Sequence, residues 1–182
     1  HVYNIAFSHD SATIYSCDHK GLVRSWSLTS GENRELATVK SLHFYDTTFR
    51  ADIGGARDVS LRTDGKQLAL SGITKVTNAF AGVGEIAIGL VDVETAKVDL
   101  VLESKDKTNG TMWGVHHHPS GFWIGLSGGR GGGWLYFWKG DVQHEYFKLK
   151  LKNDGRGMGV SPDGTQLAVA HADMHLRTYK LA

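Results

Sequence analysis

Ser161-Pro162-Asp163-Gly164-Thr165-Gln166-Leu167-Ala168-Val169-Ala170-His171-Ala172-Asp173-Met174-His175-Leu176-Arg177-Thr178-Tyr179-Lys180-Leu181 reads as a tight turn, a short apolar strand, a turn at Asp173, and a strand ending on an aromatic. Weaker copies recur upstream. The opening turns of the copies begin at Ser8, Arg62, His118 and Ser161, in steps of 54, 56 and 43 residues. A repeat of roughly 40–45 residues suits one four-stranded antiparallel unit. The two longer steps hold extra segments at 40–56 and 73–84, which read as loops.

The composition agrees with many short strands. Among 182 residues there are 23 glycines, 2 prolines and 10% aromatics, which favours tight turns and strands over helices. With 41% hydrophobic and 21% charged residues the chain can bury a core. A net charge of +1 supplies no bulk attraction to nucleic acid or to an acidic membrane. Cys17 is alone, so no internal disulfide forms. No apolar run is long enough for a membrane-spanning helix. The chain opens at His1 directly into strand-like sequence, which reads as an excerpt or a processed product.

Taken in order, strands are expected at 2–7, 13–16, 22–28 and 34–39, forming one antiparallel meander. A second unit uses 57–61, 67–72, 85–92 and 97–102, and a third 112–117, 122–126, 134–138 and 145–151. The fourth starts at 157–160 and ends after three strands. No stretch of ten residues carries a 3.6-residue period, so almost no helix is expected.

These residues resemble the WD-repeat β-propeller family. Its blades combine such a turn and apolar strand with a later strand of the pattern Val-Arg-x-Trp-Asp. The matches are Leu22-Val23-Arg24-Ser25-Trp26-Ser27, Leu135-Tyr136-Phe137-Trp138-Lys139 and Leu176-Arg177-Thr178-Tyr179-Lys180. Ser27, Lys139 and Lys180 replace the Asp, and Val91-Asp92 keeps the Asp without the Trp. The resemblance therefore implies the fold, with the family's buried Asp-His-Ser/Thr-Trp network largely missing. The chain is similar to divergent propeller segments of large bacterial multidomain proteins, some of which carry c-type cytochrome modules. No Cys-x-x-Cys-His occurs here, so no haem site falls on this chain.

The expected fold is all-β: one propeller segment over 1–182, with blades of four antiparallel strands at about 1–40, 41–104, 105–152 and 153–182. The last lacks its outer strand, and the propeller is incomplete. Inner strands sandwiched between blades should be apolar throughout, as Ile5-Ala6-Phe7, Leu68-Ala69-Leu70, Ile86-Ala87-Ile88 and Leu167-Ala168-Val169-Ala170 are. Lys148-Leu149-Lys150-Leu151-Lys152 alternates like an outer strand with a solvated lysine face. Four blades of the usual seven make an open arc with apolar flanks, and the remaining blades are expected from another chain or a longer parent protein, the alternative being a small closed four-blade ring.

Candidate chemistry is sparse. The glycine run 128–133 precedes the strand-like Trp134-Leu135-Tyr136-Phe137-Trp138, whereas a phosphate loop needs a following helix, so it reads as a flexible inter-strand loop. His116 and His118 share a strand face but have no acidic or thiol neighbour at ligand spacing, and read as packed or turn residues, as do His171 and His175. No catalytic, cofactor or metal residues are assigned, and Ser127-Gly128-Gly129 lacks the setting of a nucleophile elbow. Both insertions and the glycine loop fall on the side of the second-to-third strand turns. Binding is therefore assigned there, to Tyr45, Asp46, Phe49, Arg50, Asp52, Asn78, Phe80 and Arg130. The sequence reads as a non-enzymatic protein- or peptide-binding scaffold, with no nucleic-acid or membrane partner. The alternative is a propeller domain that docks a catalytic or cytochrome module within a larger bacterial enzyme or redox assembly.

Overall fold

A computed structural model describes residues 1–78, 83–140 and 142–181. Their chain forms four antiparallel sheets in succession. The first holds β1 (Val2–Phe7), β2 (Thr13–Asp18), β3 (Leu22–Ser27) and β4 (Asn33–Thr38). The second holds β5 (His43–Asp46), β6 (Ala51–Leu61), β7 (Gln67–Asn78), β8 (Val83–Asp92) and β9 (Lys97–Glu103). The third holds β10 (Thr111–His118), β11 (Phe122–Gly128), β12 (Trp134–Lys139) and β13 (Phe147–Lys150). The fourth has three strands, β14 (Gly155–Val160), β15 (Gln166–His171) and β16 (Leu176–Lys180). A 3₁₀ turn at Lys40–Leu42 is the single helical element among the described residues. The sheets are the blades of a β-propeller, with β1, β6, β10 and β14 side by side as the inner strands.

The recurring turn has a simple chemistry. In the first and fourth blades a serine hydroxyl (Ser8, Ser161) accepts the N–H of Thr13 or Gln166, and an Asp carboxylate (Asp10, Asp163) accepts that of Ala12 or Thr165. Asp64 does the same for Lys66. Gly65, Gly121 and Gly164 close three turns with φ of 75°, 86° and 73°, where a side chain would be strained. Histidines join neighbouring turns: His9 Nε2 donates to Arg62 O at 2.9 Å, and His118 Nε2 to Gly164 O at 2.8 Å.

Three apolar clusters fill the junctions between consecutive blades. The first places Tyr15, Cys17 and Val23 against Leu68, Leu70 and Val91; the second packs Ala69, Ile88 and Leu90 on Trp123, Tyr136 and Trp138; the third joins Ile124, Leu126 and Phe137 to Leu167 and Val169. Leu68, Ala69 and Leu70 are wholly buried because a blade covers each face. Asp58 pins three inner strands: its carboxylate accepts Asn4 Nδ2 at 2.5 Å from the first blade and Val115 N at 2.9 Å from the third. Burial pushes its pKa up, while hydrogen bonds from Val115 and Val59 pull the other way.

No apolar cluster among the described residues joins the fourth blade to the first. Ile5-Ala6-Phe7 was expected to be buried, but Ile5 is 48% and Phe7 53% exposed, because no blade covers that side of β1. The open arc and the short fourth blade match expectation. The segments 40–56 and 73–84 do not, for most of their described residues are strand rather than loop: β5 pairs with the start of β6, and β7 runs on to Asn78 and pairs with β8 from Val83. The second sheet thus has five strands. In the lysine tract Lys150 and Lys152 are exposed as expected, Leu151 is buried and Lys148 is half-buried. Lys148 pairs with Asp106, and Lys148 and Lys150 lie 5.2 and 4.5 Å from the Trp134 ring centroid. Leu149 instead is 39% exposed, on the side where the fourth blade has no outer strand to cover it.

Candidate functional site

The face formed by the second-to-third strand turns and the inter-blade links carries the most distinctive side chains. From it rises the β5–β6 hairpin, whose tip spans 47–50. Asp46 holds the tip by accepting the N–H groups of Thr48 at 2.8 Å and Phe49 at 3.1 Å, and Arg50 takes φ 51° to complete it. Phe49 is 51% exposed on the tip, and Tyr45, in β5 below it, is 49% exposed. Phe44, which the sequence reading passed over, is exposed beside them.

Opposite Tyr45 in the hairpin, Asp52 turns towards the first blade. Its carboxylate accepts His43 Nε2 at 2.7 Å and faces Lys20 Nζ at 3.0 Å, and these partners, His43 foremost, lower its pKa. A cleft of about 570 Å³ opens there, lined by His1, Tyr3, Asp18, His19, Lys20 and Asp52. Gly54 and Gly55, with φ of 92° and 97°, let the hairpin cross close to the backbone of Leu42 and His19.

Beside this cleft runs a row that the sequence reading missed. Each inner strand carries a bulge, between Val2 and Asn4, Ala56 and Asp58, Met112 and Gly114, and Gly155 and Gly157. The unpaired residues are Tyr3, Arg57, Trp113 and Arg156, so aromatic and guanidinium alternate. The Arg57 guanidinium lies 5.0 Å from the Tyr3 ring centroid and 5.7 Å from that of Trp113, and Arg156 lies 5.1 Å from Trp113. Arg57 Nη1 also donates to His19 Nδ1 at 3.4 Å. The signal was legible: each residue stands five positions ahead of its blade's first turn, at Ser8, Arg62, His118 and Ser161.

Tyr45, Asp46, Phe49, Arg50 and Asp52 thus share one hairpin. Arg130 does not join them. It is exposed on the β11–β12 connection, a loop expected to be flexible but in fact wedged between the neighbouring links. Gly131 N donates to Asn109 O, and a Cβ on Gly131 or Gly133 would run into the carbonyls of Asn109 or Asn153. Asn78 ends β7, only its backbone being described, and Phe80 lies outside the described residues. The histidine run is absorbed by packing: His117 Nδ1 accepts Thr63 N, and its ring meets Trp123 edge-on at 4.6 Å, while His118 stacks on Phe122. Among the described residues no group of three or more His, Cys, Asp or Glu is placed to hold a metal ion.

No protein-family model matches the chain, and no curated protein matches it in sequence. Solved structures match widely, with 886 chains, so the likeness is to an architecture rather than to one protein. Hydrazine synthase of Kuenenia stuttgartiensis superposes with a TM-score of 0.70 at 15% identity, over 93% of this chain and 43% of that one. A chain of the mitotic checkpoint complex gives 0.69 at 15% identity, over 97% and 46%. The chain is structurally similar to WD-repeat propellers and spans less than half the length of these matches, consistent with an incomplete propeller. At this identity the likeness is one of fold.

Proposed function

We propose that this chain is a non-enzymatic scaffold that binds protein or peptide on its hairpin-bearing face, its flanks being taken by further propeller blades from another chain or a longer polypeptide. One observation carries the binding reading: the β5–β6 hairpin holds Phe49 half exposed on a tip that Asp46 fixes and Tyr45 half exposed in the strand beside it, above a packed blade. Aromatics held rigid at low entropic cost are the residues that anchor partners.

Selection of a random 12-residue peptide library on the chain tests this. Enriched peptides are expected to lose binding to a Tyr45→Ala/Phe49→Ala variant whose melting temperature is unchanged. Peptides that bind that variant equally well, or that lose binding only when the flank residue Phe7 is replaced, would contradict the assignment.

A further inference from the structure

The geometry points to an oxyanion site on the inner-strand row, where Arg57 and Arg156 take the carboxylate of an acidic peptide. This rests on the reading of the same face as a peptide-binding surface and adds the chemistry of what is recognised.

The argument starts from what stacking leaves unused. A guanidinium resting on a ring engages its face, while its five N–H donors project from its edge. Arg57 commits one donor to His19, and neither Arg57 nor Arg156 pairs with a carboxylate among the described residues. The neighbouring polar groups are already engaged: Asp52 holds Lys20 and accepts His43 Nε2, and Asp58 accepts N–H groups of Asn4 and Val115. Two guanidiniums without carboxylate partners, both resting on the Trp113 ring, are a set of donors that an acceptor carrying negative charge can answer.

The half-exposed ring of Tyr3 favours a carboxylate on an organic chain over inorganic phosphate, which makes no use of apolar surface. The row follows the inner strands of all four blades, so an extended acidic segment can place successive carboxylates along it. Because the bulge positions supply the side chains, this recognition depends on β-strand register and needs no loop motif.

Fluorescein-labelled hexaglutamate, hexaglutamine and inorganic phosphate serve as probes with the full chain. Hexaglutamate is expected to bind, hexaglutamine not, and Arg156→Gln, at an exposed position, should weaken binding about tenfold without lowering the melting temperature. Arg57→Lys keeps the charge but not the fork and should weaken it as well. The indole N–H resonance of Trp113, assigned with Trp113→Phe, should shift on adding hexaglutamate. Unchanged affinity in Arg156→Gln, equal binding of hexaglutamine, phosphate displacing the peptide at equal concentration, or a static Trp113 resonance would each overturn the site. Library peptides that need Tyr45 and Phe49 but neither arginine would sink this inference while leaving the scaffold reading intact.

Discussion

His117 shows how one side chain can tie two blades and set a pH limit. It lies in the junction of the second and third blades, accepting Thr63 N through Nδ1 and touching the Trp123 ring. Burial, reinforced by the charge of Arg62, pushes its pKa down from 6.5 to about 4. Between these values the unfolded chain binds a proton that the folded chain refuses. Stability from this group is therefore full above about 6.5 and is lost as pH falls towards about 4, by on the order of 2 kcal/mol. His116, whose pKa burial also lowers, acts in the same direction. Urea unfolding from pH 7 to pH 4 should show this slope, and His117→Asn should flatten it; an unchanged slope would remove His117 from the account. Such roles were only partly legible. His118-Pro119-Ser120-Gly121 announces a turn, but nothing in sequence says that His117 will meet Thr63. The Tyr3, Arg57, Trp113 and Arg156 row was legible in spacing yet hidden by residue type, since two aromatics and two arginines look unrelated until a bulge puts them in register.

Among the elements, the glycine connection after β11 departs most from its sequence. Glycine runs usually signal freedom, because the missing Cβ widens the backbone's choices. Here the same absence permits close packing, with Gly131 against Asn109 and Gly133 against Asn153, so the loop locks the links on either side. Gly133→Ala should cost about 1–3 kcal/mol through overpacking. Gly157→Ala, where an added Cβ meets nothing within 4 Å, should cost little. Equal urea midpoints for the two variants would mean that the loop is not wedged. The strands themselves were readable wherever a turn with Asp, Ser or Gly framed an apolar run, because both the turn bonds and the burial follow from local residue types. The added strand β5 and the extended β7–β8 pairing were not. The repeat spacing makes 40–56 read as an inserted loop, and what makes its second half a strand is pairing with β5, a partner that the sequence does not mark.

The whole molecule is an arc of four blades with unlike ends. The first blade presents Ile5, Phe7, Ile14 and Trp26 on its outer side, and the fourth presents Gly159, Ala168, Ala170 and Thr178 together with the exposed Leu176. Left open, both ends present apolar surface and an uncovered sheet face to solvent. Radial stacking of blades in an open arc is the claim on which the binding face and the inner-strand row both rest. Sedimentation velocity of the 182-residue chain over a concentration series tests it most directly. The account predicts association that grows with concentration and is suppressed when Phe7→Glu and Ala168→Glu place charge on the two flanks. A monomer at every concentration, unaffected by either substitution, would contradict it.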